Sequence, residues 1–405
     1  MKIAIAVPGR FHAFNLAKAL ALLGHEVVIL TNYPKWAVKQ FGIPPQQVRS
    51  LWIHGVVSRV FFWLTDRLGT PYPEAFLHRW FGRWVKGVLT QSPWDVVHPW
   101  SGVSEESFTS KGRNQTGLRL LMRGSTHIRT QARILRQEQD RVGTRVEQPS
   151  RWMIEREERE YKLADRVVVL STFARESFLQ EGVPSEKLLL LPLGADVRMF
   201  RPSADVVEER CRRVLAGEPL RVLYVGTLSF RKGLWDLGTL VYSLGSEPFR
   251  FRALGPIPRE STEFLRRLKG SLEIVPKQSQ RSLPFWYRWA DLFIFPTLED
   301  GYPIVLAQAQ ASGLPILTTT NCCGPDLVQE GKTGWIFPIR SPQTMADRLR
   351  WCHGHRRELA EMTRSLYQEY QVRDWSDVAK AFEMLCQRTL AERPPTGRGA
   401  AEGRS

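Results

Sequence analysis

Hydrophobic residues in this chain fall into short, nearly continuous runs, separated by longer stretches where apolar positions recur every three or four places. Runs of the first kind fill strands covered on both faces of a parallel sheet, and stretches of the second kind are helices that cover it. Residues 2–7 read as a strand, 14–23 as a helix capped by Gly24, and 27–30 as the next strand, together a βαβ unit. Residues 95–98, 118–122 and 164–170 read as further strands, and Ser171 or Thr172 caps the helix that follows the last of them. The architecture restarts at 221–225, a strand followed by a short loop, a basic pair and a helix beginning near Gly233. Strands are then expected at 251–254, 272–275 and 293–295, the last ended by Pro296, with a helix at 283–289. From Ile304 the pattern is helical again, with Val305, Ala309 and Ser312 on one line and Ala311 and Gly313 small enough for close approach to a sheet. Residues 331–337 read as a turn and strand, and within 372–390 Trp375, Val378, Phe382 and Leu385 keep helical spacing.

A length of 405 residues fits two domains. The expected division is 1–200, 201–372, a helix at 373–392, and a tail at 393–405 too rich in Pro, Gly and charge to bury a core. Apolar residues at 43% and charged residues at 24% are globular values, and no apolar run approaches the ~20 residues of a membrane span. The opening apolar run is cut by Pro8-Gly9-Arg10 and reads as a strand, not a leader. All five cysteines lie from Cys211 onward in an odd number without metal spacing, which points to a reducing cytoplasm, and the adjacent Cys322 and Cys323 read as packing. No Asp-x-Asp occurs, so no metal ion and no cofactor are expected.

The net charge of +16 is concentrated toward the start, where the first 100 residues hold 11 Lys and Arg against 4 Asp and Glu, and 7 of the 14 tryptophans. Within 76–89, Phe76, Trp80, Trp84 and Val88 recur every four positions while Arg79, Arg83 and Lys86 occupy other faces. Two readings stand: a helix lying on an anionic membrane, or a core-facing helix whose basic side is solvated. No nucleic-acid recognition motif accompanies the charge, and nucleic acid is not expected as a partner.

Candidate chemistry gathers at two loops. Gly226 permits a tight turn, Arg231 can grip two oxygens, Lys232 offers a point charge, and the helix near Gly233 adds unpaired NH groups, a combination suited to phosphate unless it is only a solvated basic turn. The loop at 298–303 carries Glu299 and Asp300 between a strand and a helix start, where ligands of open parallel sheets sit. Gly-x-Gly-x-x-Gly is absent, which removes the main support for a dehydrogenase.

The stretch LEDGYPIVLAQAQASGLPILTTTNCCGPDLVQEGKTGWIFP resembles the nucleotide-sugar signature of retaining glycosyltransferase family 4, a Glu, seven residues, and a second Glu. Asp300 falls at the first glutamate, followed by Gly301, and Gln308 at the second. The resemblance implies that Asp300 orients donor-sugar hydroxyls and Gln308 meets the ribose. Asp keeps the charge one methylene shorter, and Gln keeps one acceptor and adds donors. Glu299 would substitute for Asp300 if the loop were shifted by one residue.

The family form Gly-Arg-x4-Lys-Gly is matched by Lys232, while Thr227 replaces its arginine and Arg231 supplies charge from a neighbouring position. VPGRFHAFNLAKALALLGHEVVILT is similar to the family's first strand, loop and helix, so Gly9 would approach the donor diphosphate and Arg10, Phe11 and His12 would face the acceptor. RGSTHIRTQ resembles the segment with an active-site histidine, giving His127 an orienting role beside the sugar, and Val275 lies in the base-binding region. Asp196, at the domain exit, holds the hinge or touches ligand.

The implied fold is α/β of the GT-B type, two Rossmann-like domains facing a cleft, with the C-terminal helix crossing back to the first. The implied function is that of a retaining hexosyltransferase moving a sugar from a nucleoside-diphosphate sugar to a glycan or lipid-linked acceptor, for instance in cell-envelope polysaccharide synthesis. His127, Asp300, Arg231 and Lys232 would be its catalytic groups, in the cytoplasm or on the inner face of the plasma membrane. Because Asp300, Gln308 and Thr227 depart from the family form, a non-catalytic nucleotide- or glycan-binding scaffold and a nucleotide-sugar epimerase are the alternatives.

Overall fold

The computed structural model describes residues 1–109, 117–245, 247–369 and 372–392, so the expectation for the tail at 393–405 lies outside the described residues. Thirteen strands form two sheets among them. The first sheet contains β1 (Lys2–Val7), β2 (Glu26–Thr31), β3 (Val48–Ser50), β4 (Val96–Pro99), β5 (Leu118–Met122), β6 (Arg166–Val169) and β7 (Leu188–Leu190), in the order β3-β2-β1-β4-β5-β6-β7. The second contains β8 (Leu220–Val225), β9 (Phe249–Leu254), β10 (Glu273–Val275), β11 (Leu292–Phe295), β12 (Ile316–Thr319) and β13 (Gly334–Phe337), in the order β10-β9-β8-β11-β12-β13. Pairing is parallel, as between β1 and β2 from Lys2 with Glu26 to Val7 with Thr31.

Parallel strands with helices on both faces must be apolar on both sides, and the runs found in the sequence are. Ile3, Ile5 and Val7 of β1 are completely buried, as are Leu292, Phe293 and Ile294 of β11. Each such side chain contributes roughly 1.5–3 kcal/mol by leaving water, so the central strands anchor their sheets. The helix Ile304–Ala311 is buried from Leu306 to Ala311, Gln308 and Gln310 included, and so exceeds the one-sided line expected of it.

Contacts group the chain into two compact units. One comprises Met1–Met122, Arg159–Val167 and the chain from Ser376 onward; the other comprises Arg123–Glu158 and Val168–Trp375. Within the first unit the C-terminal helix Trp375–Ala391 returns to the first sheet, Phe382 meeting the ring of His98 on β4 edge-on at 5.0 Å and Glu392 pairing with Arg166 at 3.1 Å. In the second unit Leu135, Val146 and Phe230 form a buried cluster that ties the segment after β5 to the loop after β8.

The helix Trp52–Leu68 was not expected, because its apolar residues surround it and leave no clean period. The helix Glu74–Leu89 forms where a helix at 76–89 is expected, and Leu77, Phe81, Val85 and Leu89 are its core positions, so the line of Phe76, Trp80, Trp84 and Val88 is not the core face, and Phe76 is 59% exposed. The two lines are adjacent on the helix, and the sequence alone favours the bulkier one.

Candidate active site

In the second sheet the strand order reverses between β8 and β11, so the loops leaving these neighbours open side by side at their carboxyl ends. After Gly226 and Thr227 the first loop tightens into a single turn, Phe230–Lys232, capped by Ser229. Gly233 then takes φ of 79°, and a Cβ there would stand 1.8 Å from the Pro296 carbonyl oxygen. Only glycine therefore lets this turn run so close to the second loop before the helix Leu234–Leu244 begins. The Leu298 amide donates to the Arg231 carbonyl at 3.0 Å and fixes the two loops in register.

Arg231 and Lys232 meet Glu299 and Asp300 in this arrangement. Glu299 is fully buried. Its Oε1 accepts from the Ser125 hydroxyl, the Thr126 amide at 2.9 Å and the Thr126 hydroxyl at 2.8 Å, and its Oε2 accepts from Gln131 Nε2 at 3.1 Å and Arg231 Nε at 2.8 Å. Arg231 Nη2 also donates to Ser125 Oγ at 2.8 Å. Lys232 Nζ donates to the Asp300 carboxylate and, at 3.2 Å, to the Glu299 carbonyl. Burial opposes ionisation of Glu299, yet the charges of Arg231 and Lys232 and the Ser125 and Thr126 donors outweigh it and hold the carboxyl well below the usual range. Burial, reinforced by Arg231, lowers the Lys232 ammonium, while Asp300 and Glu299 pull the other way.

Two carboxylates and two cations make the cluster formally neutral, but its members are not equally accessible. Side-chain exposure is 31% at Arg231 and 16% at both Lys232 and Asp300, against none at Glu299. Glu299 is thus a tether for the loop at 123–131, and Asp300 is the carboxylate that can reach a ligand. The shift of one residue in the loop is not what the structure shows. Gly301 follows so closely on Gly124 that a Cβ would lie 2.5 Å from the Gly124 carbonyl oxygen.

His127 ends the tethered loop and caps the helix Ile128–Val142, its Nδ1 accepting from the Arg129 amide at 3.3 Å. Its own amide donates to Ser177 Oγ at 2.8 Å, and its ring meets Phe178 edge-on at 5.0 Å. Burial pushes the imidazole down to about 4, with Glu181 and Glu158 only partly offsetting it, so it is neutral near pH 7. Gln308 is bonded to the Tyr287 hydroxyl at 3.0 Å through Oε1. The Thr227 carbonyl accepts from the Tyr224 hydroxyl at 2.8 Å, and the Val275 carbonyl at the end of β10 accepts from the Gly255 amide at 3.3 Å. Asp196 caps the short helix Val197–Phe200, accepting from the Met199 amide at 3.3 Å.

Gly9, Arg10, Phe11 and His12 follow β1 in the first unit. The Gly9 carbonyl accepts from the Thr31 hydroxyl at 2.9 Å, the Arg10 guanidinium lies 4.5 Å from the Phe41 ring centre, and Phe11 is 64% exposed. The His12 ring packs 5.0 Å from Trp100 and is pushed down to about 3 by burial and by His98. Cys322 and Cys323 are buried free thiols, as packing residues would be.

Ser125, Thr126 and Gln131 were missed from sequence. Their only signal was a Ser-Thr pair and a glutamine around His127, and nothing in a linear reading tells which carboxylate they serve.

The two-sheet architecture is that of sucrose-phosphate synthase from Thermosynechococcus elongatus, with a TM-score of 0.71 at 18% identity over 97% of this chain and 100% of that one. It is equally that of Anabaena Alr3699/HepE in complex with UDP-glucose, with a TM-score of 0.65 at 14% identity over 96% of this chain and 100% of that one. These likenesses define a glycosyltransferase GT-B fold. The family model for glycosyl transferases group 1 matches residues 219–354 and that for the glycosyl transferase 4-like domain matches residues 10–194; the chain belongs to this glycosyltransferase family. Among curated proteins it is similar to the putative colanic acid biosynthesis glycosyltransferase WcaL of Salmonella typhimurium, 28% identical over 207 residues, or 47% of this chain and 48% of that protein. The chain spans about half the length of the curated relatives it matches.

Proposed function

We propose that the protein transfers a hexose from a nucleoside-diphosphate sugar to a hydroxyl of a glycan or lipid-linked acceptor, with retention of anomeric configuration and without a metal ion. The observation that carries this reading is the meeting of Lys232 with Asp300, and of Arg231 with the adjacent Glu299, where the strand order reverses. The UDP-glucose complex of the HepE structure supports the donor class, and the colanic acid role in the WcaL name supports a cell-envelope product.

Lys232 is shared between Asp300 and the arriving diphosphate, and together with Arg231 it stabilises the charge that builds on the departing phosphate. Asp300 accepts from donor-sugar hydroxyls. Gln308, its carbonyl taken by Tyr287, offers its NH2 to a ribose hydroxyl, and Val275 lies by the base. Neutral His127 hydrogen-bonds the sugar without carrying charge. Gly226, Thr227 and Gly301 supply backbone.

The test is incubation with labelled nucleotide sugars and a lipid or glycan extract, with the anomeric configuration of the product read by NMR. Labelled product with the donor's configuration supports the reading, and inversion refutes retention. Binding without release of diphosphate marks a scaffold, and isomerisation of the sugar without acceptor marks an epimerase.

A further inference from the structure

Among the described residues, nine of the nineteen exposed large apolar side chains lie between Trp52 and Phe76. On the helix Trp52–Leu68, Trp52, Val56, Val60 and Trp63 recur at i, i+4, i+8 and i+11 along one line, with Ile53 beside it, and all five are 47–55% exposed. Only His54 and Gly55 of that helix are fully buried. A helix of a water-facing domain buries its apolar line and exposes its polar one, and here the outer line is the apolar one.

The neighbouring helix Glu74–Leu89 continues the surface, joined to the first through the His54 ring, which meets Trp80 at 5.1 Å and hydrogen-bonds the Leu77 carbonyl at 3.1 Å. Its outer side carries a groove of about 540 Å³ lined by Ala75, Phe76, Arg79, Trp80 and Arg83. An apolar floor between two arginines suits a phosphate headgroup whose acyl chain lies beneath it. Over residues 52–89, Arg59, Arg67, Arg79, Arg83 and Lys86 stand against Asp66 and Glu74, a net charge of +3.

We propose that these two helices dock the protein on an anionic lipid bilayer, lying in the interface with Trp52, Val56, Val60, Trp63 and Phe76 among the upper acyl carbons and the arginines at the phosphates. Long basic side chains bury their stems and keep their charge at the headgroups. Ile53, Val56 and Val60 decide against a nucleic acid, since aliphatic side chains gain nothing from base stacking and gain directly from acyl contact. No helix among the described residues is long and apolar enough to cross a membrane.

The inference is independent of sugar transfer and is tested without donor or acceptor, by sedimenting the full chain with vesicles of phosphatidylglycerol and phosphatidylcholine, or of phosphatidylcholine alone. Retention is expected on the anionic vesicles, weakening with salt, and not on the neutral ones. Arg79→Ala with Arg83→Ala should lower the partition coefficient about 25-fold, at about fivefold per basic residue. Trp63→Ser, at an exposed site, should lower it at unchanged thermal stability. Failure to bind anionic vesicles at low salt, equal binding to both compositions, or binding unchanged in these variants overturns the proposal. So does a dimer in light scattering that Trp63→Ser abolishes while vesicles bind nothing, since the surface would then belong to a second copy.

Discussion

Replacing Glu299 by Gln tests whether one buried charge holds the loop at 123–131 in place. The shape is kept, but whichever way the amide is turned its NH2 faces donors: Gln131 and Arg231 on one side, or Ser125 and the amide and hydroxyl of Thr126 on the other. Removing one member of a buried pair costs about 3–5 kcal/mol. Arg231 keeps 31% of its side chain in solvent and can rehydrate, so the lower end, about 3 kcal/mol, is expected.

The Thr126 amide reports the loss directly, because it donates to the carboxylate at 2.9 Å. Hydrogen–deuterium exchange of peptides covering 123–131 should accelerate about a hundredfold in Glu299→Gln at pH 7, the equivalent of ~3 kcal/mol. The folded carboxyl is depressed below the ordinary glutamate value of 4.5, so its contribution is whole above pH 4.5 and is lost as pH falls below it. The gap between wild type and variant in urea midpoint should therefore narrow below pH 4.5. Exchange in the loop changed by less than about threefold, or a gap that widens in acid, would refute the tether.

Asp300→Asn leaves Lys232 without its partner and the cluster with a net positive charge, so affinity for UDP should hold or rise while transfer falls by about tenfold or more; calorimetry and a transfer assay check the two halves, and unimpaired transfer refutes the role of Asp300. His98 is pushed by burial from 6.5 down to about 4. The unfolded chain therefore takes up the proton first, and stability should fall by about 3 kcal/mol as pH drops from 6.5 to about 4, then change no further on this account. His98→Asn retains a donor for the Leu120 carbonyl, bonded at 2.9 Å, but does not titrate; its urea midpoint should be flatter over that window, and a curve parallel to wild type would refute the assignment.

The sheets were legible because a strand buried on both faces must be apolar at every position, a local property written in runs such as IAIAV and LFIF. The Arg231-Lys232-Gly233 turn was legible for a related reason, since glycine, charge and helix start lie within a few residues and act at short range.

Three things required the folded chain. Which of two adjacent carboxylates is the tether and which is left accessible depends on Ser125, Thr126 and Gln131, about 170 residues away in sequence, and no linear pattern encodes a contact at that separation. The buried line of the helix Glu74–Leu89 was decided by what packs on it, because two adjacent lines were both apolar. The helix Trp52–Leu68 was hidden for the opposite reason: large apolar residues lie on its exposed line as well as on its other faces, so no single stripe stands out in the sequence. Sequence determines where each element begins and what it can bury; which of its faces meets protein and which is left open is settled only when distant segments compete for the same surface.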